Sequence, residues 1–65
     1  MQAKNNILQN KTGDSIAFQV LRSSGVANID FYKCDILEKQ FKNISLDHAN
    51  KLWYTAIRTG YEVAF

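Results

Sequence analysis

The sequence contains no proline, and it has one cysteine and one histidine, Cys34 and His48, among its 65 residues. One cysteine excludes an intramolecular disulfide, and a zinc site would need several more soft ligands than this chain contains. Nucleophilic catalysis requires a nucleophile, an activating base and a group that orients the base, and the sequence offers no such set. We therefore expect a protein that is not an enzyme and that has no catalytic, metal or cofactor-binding residues.

The sequence also has no run of about eighteen apolar residues and no charged-then-apolar leader. Neither a membrane-spanning helix nor export is predicted, and a free thiol suits a reducing compartment, so we expect a cytoplasmic protein without a membrane partner. The net charge is only +2, and the eight basic residues are spread from Lys4 to Arg58. A strongly nucleic-acid-binding protein would carry more positive charge in one cluster.

The composition is that of a folded protein, with 46% hydrophobic and 22% charged residues. A chain of 65 residues has room for a single domain, so residues 1–65 are interpreted as one unit. A domain of this size removes only about 60% of its unfolded surface from water, and its stability is small. Association with a partner or with a second copy would therefore matter.

The clearest local pattern runs from Ser45 to Gly60 and predicts one amphipathic helix. Ser45 can accept a hydrogen bond from the first free backbone N–H groups, and Gly60 can adopt the left-handed conformation that ends helices. Asp47 and Arg58 have the charges that suit the two ends of the helix dipole. The apolar residues recur at helical spacing: Leu46, Ala49, Leu52, Trp53, Ala56 and Ile57. Such a short helix needs an apolar surface to cover it.

Two segments before the helix alternate as strands do. Ser15–Arg22 places three large apolar side chains on one side, and Val26–Cys34 repeats the pattern after a turn at Ser23–Gly25. The apolar residues of these two segments are Ile16, Phe18, Val20, Ala27, Ile29 and Phe31. Together the segments predict an antiparallel hairpin.

Three further segments give weaker signals. Asn6–Asn10 is interpreted as a short edge strand, and Tyr61–Phe65 either runs back along the sheet or frays. Asp35–Ile44 fits a helix through Ile36, Leu37, Phe41 and Ile44, or a strand in which Leu37, Lys39, Phe41 and Asn43 share one side. A strand is favoured because it widens the sheet that the helix covers.

The predicted fold class is α+β, a three- or four-stranded antiparallel meander with one C-terminal helix packed on one face. Trp53 has the largest apolar area in the chain and lies in the middle of the helix stripe, so we expect it to anchor the contact. The predicted core consists of Phe18, Val20, Ile29, Phe31, Leu52, Trp53, Ala56 and Ile57.

The C-terminal third carries a resemblance. The pattern Ile44-Ser45-Leu46-x-x-Ala49-x-x-Leu52-Trp53 with a closing Gly60-Tyr61-Glu62-Val63 resembles a class of small uncharacterised cyanobacterial and cyanophage proteins with an Ala/Trp helix near the C-terminus. This sequence lacks the proline and arginine that usually precede that helix. Six lysines against two arginines also suggest an AT-rich coding sequence, as in a phage or a low-GC bacterium. The resemblance implies a fold, and no activity.

Function is predicted from surface chemistry. The sheet face away from the helix would carry a mixed, weakly charged set that is typical of protein-docking surfaces: Ala17, Gln19, Leu21, Asn28, Asp30 and Tyr32. We expect Leu21, Tyr32 and Gln19 to bind another protein, with Tyr54 and Arg58 as a second patch, because aromatic and arginine side chains dominate binding energy. A sheet edge could also pair with a second copy. The alternative is that these are ordinary surface residues.

A weak nucleic-acid-binding regulator is the second possibility. The open sheet face would offer phosphate no positive charge, so recognition would use the outer side of the helix, through Lys51, Tyr54 and Arg58 with His48 nearby. The competing interpretation is an ordinary solvated helix face on which Asp47 and Lys51 attract each other.

Overall fold

The computed structural model describes residues 5–64. In chain order the elements are β1 (Asn5–Gln9), β2 (Asp14–Leu21), a 3-10 turn (Arg22–Ser24), β3 (Val26–Lys33), β4 (Ile36–Ser45), α1 (Leu46–Arg58) and β5 (Glu62–Val63). All strand pairs are antiparallel, and the sheet order is β4-β3-β2-β1-β5. The predicted class is confirmed: an α+β fold with an antiparallel sheet and one C-terminal helix.

The strand count differs from the expected three or four, since the sheet has five strands within the described residues. The additional strand is β5, in which Val63 pairs with Leu8 and Glu62 with Gln9. The strand expected at Asn6–Asn10 is present as β1 and pairs with β2, but it is not an edge strand, because β1 lies between β2 and β5. The C-terminal segment does run back along the sheet, and the Ala64 N–H donates to the Ile7 carbonyl at 2.8 Å; Phe65 lies outside the described residues.

The ambiguous segment before the helix is a strand, β4, and it is irregular. Its register against β3 shifts twice, once between Ala27 and Ile29 and once between Phe31 and Tyr32 of β3. Asn43 marks the first shift: its φ is 59°, and its N–H donates to the Asn28 side-chain carbonyl at 3.1 Å. Bulged residues of this kind interrupt the alternation of a strand.

The shift between Leu37 and Lys39 corrects the expectation that Leu37 and Phe41 share one side of a strand. Leu37 pairs with Tyr32, whereas Phe41 pairs with Ile29. Paired residues project to the same face, and Tyr32 and Ile29 lie on opposite faces of β3. Leu37 therefore lies on the face away from the helix, and Phe41 on the helix side.

The helix ends are as predicted. The Ser45 hydroxyl accepts a hydrogen bond from the His48 N–H at 3.3 Å. At the other end Gly60 has a φ of +106° and donates to the Ile57 carbonyl, while the Tyr61 N–H donates to the Ala56 carbonyl at 3.1 Å. This pair of bonds is the Schellman motif, which satisfies the last carbonyls and turns the chain back toward the sheet. Within the described residues no helix could span a membrane.

The core lies between α1 and one sheet face, which we call the covered face. Its buried apolar residues are Leu8, Ile16, Phe18, Val20, Ala27, Ile29, Ala49, Trp53 and Ala56. Trp53 is 7% exposed, and its ring meets Phe18 edge to face at 5.2 Å, which confirms it as the anchor. Ile57 is a wrong core prediction because 37% of it is exposed. It lies at the flank of the helix stripe, to one side of the buried Ala49, Trp53 and Ala56.

Candidate protein-binding site

The sheet face opposite α1 is called the open face. Its residues alternate with the buried ones along the two central strands: Ser15, Ala17, Gln19 and Leu21 on β2, and Val26, Asn28, Asp30 and Tyr32 on β3. All six residues that the sequence assigned to this face are therefore on it. The short strand β5 extends the sheet beside β1 and lies in its plane.

One end of the open face is amide-rich. Gln19 is exposed and pairs across the strands with Asn28, whose side-chain N–H₂ donates to the Gln19 side-chain carbonyl at 3.4 Å. Since Asn28 also accepts from the Asn43 backbone, its orientation is fixed. Beyond this pair, Leu21 is half-buried beside Val26 at the end of the hairpin. This end of the open face therefore presents the oriented Asn28 amide next to the aliphatic side chains of Leu21 and Val26.

The other end of the open face is aromatic and aliphatic. Tyr32 is half-buried and stands between Ser15 on β2 and Leu37 on β4, and 47% of Leu37 is exposed. Aromatic and aliphatic side chains paired across strands contact one another favourably. One step along the strands, Asp30 pairs with Gln40. We call Tyr32 and Leu37 the Tyr32 patch.

The structure brings the predicted residues to one face but not into one cluster. Tyr32 lies opposite Ser15, and Leu21 is six residues further along the same strand. At roughly 3.3 Å per residue the two ends are about 20 Å apart. A partner that uses both ends must therefore cover the length of the sheet, with Gln19 between them.

The second predicted patch lies on the opposite side of the molecule. Lys51, Tyr54 and Arg58 are exposed on α1, and 57% of Tyr54 is exposed. Because α1 packs on the covered face, this patch and the Tyr32 patch point in opposite directions. One small partner surface cannot contact both.

Sequence reasoning missed the surface of β4. Every residue of this strand except Ile44 is exposed, and it includes Ile36, Leu37 and Phe41, which are 71%, 47% and 43% exposed. The Phe41 ring meets Phe31 nearly at right angles with centroids 5.8 Å apart. The available signal was an asparagine inside a strand pattern, since asparagine tolerates the positive φ of a bulge.

Geometry explains why β4 is uncovered. A helix with its side chains is about 10–12 Å across, whereas five strands spaced about 4.8 Å apart extend over roughly 19 Å between the outer strand axes. The helix starts directly after β4 and contacts β3 and β4, and its anchor Trp53 packs on Phe18 of β2, so residues 36–43 of β4 stay exposed. The outermost strand β4 therefore keeps both exposed apolar side chains and a free backbone edge.

The cysteine and the histidine considered for nucleophilic catalysis are both exposed and lie in different parts of the fold. Cys34 is exposed in the β3–β4 turn, where it and Asp35 have φ values of 51° and 68°, and His48 is exposed in the first turn of α1. Within residues 5–64 no group of three or more His, Cys, Asp or Glu side chains is placed to hold a metal ion.

Among residues 5–64, the phenol of Tyr61 has a raised pKa. Tyr61 packs against the core, and its burial raises the pKa of its phenol above the usual value. The carboxylates of Asp14 and Glu38 add to this shift, because negative charges disfavour a phenolate. The phenol is therefore held neutral.

No protein-family model, no curated protein and no solved structure matches this chain. The resemblance to small cyanobacterial and cyanophage proteins therefore stays a prediction.

Proposed function

We propose that this chain is a small non-enzymatic protein-binding module, a cytoplasmic regulator or accessory subunit of a phage or bacterium, and that its open face docks a partner protein. The observation that carries the proposal is the Tyr32 patch: an aromatic and an exposed leucine on a face that α1 leaves uncovered. Tyrosine at such a position is a common source of binding energy at protein interfaces.

The chemistry of the face favours a particular kind of partner surface. Among the eight open-face residues of β2 and β3 there is one charged side chain, Asp30, and the rest are amides, hydroxyls and apolar groups. Protein interfaces avoid charge at their centre and combine apolar contacts with a few hydrogen bonds. We therefore propose an apolar partner surface with hydrogen-bonding groups and one basic side chain opposite Asp30.

A capture experiment tests this surface when the proteins retained by wild type are compared with those retained by surface variants. The bait is the purified chain, exposed to lysate of the source organism, with retained proteins identified by mass spectrometry. Tyr32→Ala removes the aromatic ring, and Gln19→Arg adds a bulky charge at an exposed position of the same face. Thr55→Arg makes a similar addition on exposed α1 and serves as the control.

We expect a partner that wild type and Thr55→Arg retain and that both open-face variants lose, while circular dichroism shows all four proteins folded. An identical set of retained proteins for all four would contradict the proposal. So would loss with Thr55→Arg alone, which would assign binding to the helix.

The alternative proposal is weak nucleic-acid binding through Lys51, Tyr54 and Arg58. It is favoured by one observation, the exposure of all three side chains along α1. Cations that contact phosphate release counterions, so binding must weaken with salt, and removing one contact lowers the salt slope by about one. The test is a mobility shift with duplex DNA and with RNA at low salt, using Lys51→Ala and Arg58→Ala; no shift for wild type rejects it.

A further inference from the structure

We propose that β4 is the self-association strand of this protein: two copies pair their β4 edges antiparallel about a two-fold axis at Gln40. The two five-stranded sheets then form one continuous sheet with both helices on the same side. The surface used is the β4 edge with the side chains beside it on both faces, such as Phe41 on the covered face and Gln40 on the open face. It borders the Tyr32 patch at Leu37 but leaves out the open-face residues of β2 and β3.

The choice of edge follows from the topology. Within the described residues the sheet ends in β4 on one side and in β5 on the other, with lengths of ten and two residues. Very short edge strands are poor templates for strand addition, whereas a long one presents a row of unpaired N–H and carbonyl groups. Only β4 offers a backbone long enough for a second copy.

The covered face extends beyond the helix at this edge. Phe41 lies on that face against Phe31, and 43% of it is exposed because α1 does not cover this part of β4. A two-fold axis perpendicular to the sheet keeps both covered faces on the same side. With the axis at Gln40, Phe41 lies beside Lys39 of the second copy and diagonally across from its Phe41, so the two Phe31–Phe41 pairs flank the gap between the helices.

The irregularities of β4 fit a single centre. The register shifts against β3 fall between Leu37 and Lys39 and between Phe41 and Ile44, so the regular stretch is residues 39–41. Its middle residue is Gln40. A two-fold axis at Gln40 pairs the regular stretch of one copy with the regular stretch of the other. It also places the irregular region before this stretch in one copy beside the irregular region after it in the other. Bulges elsewhere oppose pairing in other registers.

Charge selects the same centre. Because side chains alternate, matching faces requires an axis that passes through a residue and not between two. An axis at Lys39 would place two lysines directly opposite each other, and an axis at Phe41 would place Glu38 opposite Ile44. An axis at Gln40 brings Glu38 close to Lys42 of the second copy, twice, at the two positions that flank the regular stretch 39–41. Opposite charges across strands stabilise pairing, and like charges oppose it.

Charge exchange tests this register. Glu38→Lys and Lys42→Glu each convert both symmetric pairs into like-charge pairs, whereas the double variant Glu38→Lys/Lys42→Glu restores attraction. An equimolar mixture of the two single variants restores it as well, since lysines of one chain then face glutamates of the other. Sedimentation velocity between about 1 and 500 µM measures the dissociation constants, with Lys51→Glu on α1 as the charge-matched control.

We expect a wild-type dimer whose dissociation constant rises about tenfold in each single variant. The double variant, the mixture and Lys51→Glu should associate as wild type does, and Tyr32→Ala should too, since it alters the open face only. A monomeric wild type at all concentrations overturns the proposal, and so do single variants that associate as wild type. Dissociation caused by Tyr32→Ala would overturn it in favour of the open face.

Discussion

The strands β2 and β4 are the two most instructive regions to compare. Each is long, eight and ten residues, and each contains large apolar side chains. In β2 every second residue from Ile16 to Val20 is buried, whereas in β4 no residue is fully buried. The strands differ in position: β2 lies beneath Trp53 with a strand on either side, and β4 is outermost. Burial here depends on how far one helix reaches across the sheet.

The consequence is a division of roles along the sheet. The residues under α1 stabilise the monomer, because their apolar area leaves water on folding. Ile36, Leu37 and Phe41 keep much of their area in solvent, and that area can be buried by association. Substitutions in the two regions should therefore separate stability from binding.

The largest contrast is expected on the helix itself. Trp53→Ala removes the indole that packs on Phe18 and should lower the free energy of unfolding by about 3–5 kcal/mol. Tyr54→Ala, at the next position but 57% exposed, should change it by less than about 0.5 kcal/mol. Urea denaturation of both variants measures the difference. Similar losses would show that α1 packs on another face.

A second contrast compares two paired residues of the covered face. Ile29 on β3 is fully buried, and its partner Phe41 on β4 is 43% exposed. Ile29→Ala should cost about 2–5 kcal/mol, whereas Phe41→Ala should cost roughly 1 kcal/mol in dilute, monomeric protein. Equal costs in urea denaturation would mean that β4 belongs to the covered core.

Local sequence patterns predicted the features that depend on residues close together in the chain. The β2–β3 hairpin follows from alternation, and the helix follows from its stripe and from the caps at Ser45 and Gly60. The Trp53 anchor follows from its area and its central position. The same alternation placed Gln19 and Tyr32 on the open face.

The features that the sequence did not predict depend on contacts between elements distant in the chain. The left-handed backbone of Asn43 is held by an Asn28 side chain on the adjacent strand, and the separate shift between Leu37 and Lys39, which puts Phe41 and Leu37 on opposite faces, shows only in the pairing with β3. The strand β5 pairs with β1 through only two residues, and this pairing depends on Gly60, which turns the chain back toward β1. Ile57 is exposed because it lies to one side of the helix line formed by the buried Ala49, Trp53 and Ala56.

The smallest effect is expected from pH. Tyr61 lies near Asp14 of β2 and Glu38 of β4, and burial and then these carboxylates raise its pKa. A raised folded-state pKa gives stability that is fully present below the unfolded value near 10 and is lost as pH rises through the folded value. The melting temperature should thus fall above about pH 10 in wild type, and it should fall less in Tyr61→Phe. An identical pH dependence in both would contradict this origin.

Amide hydrogen exchange tests the central claim, that β4 is an exposed edge strand of the monomer, most directly. In dilute protein we expect slow exchange along β2 and fast exchange for the outward-directed amides of β4, since these have no partner strand within the chain. Raising the concentration should slow the β4 amides alone. Protection of β4 equal to that of β2 in dilute protein, or fast exchange of β4 at every concentration, would contradict the account.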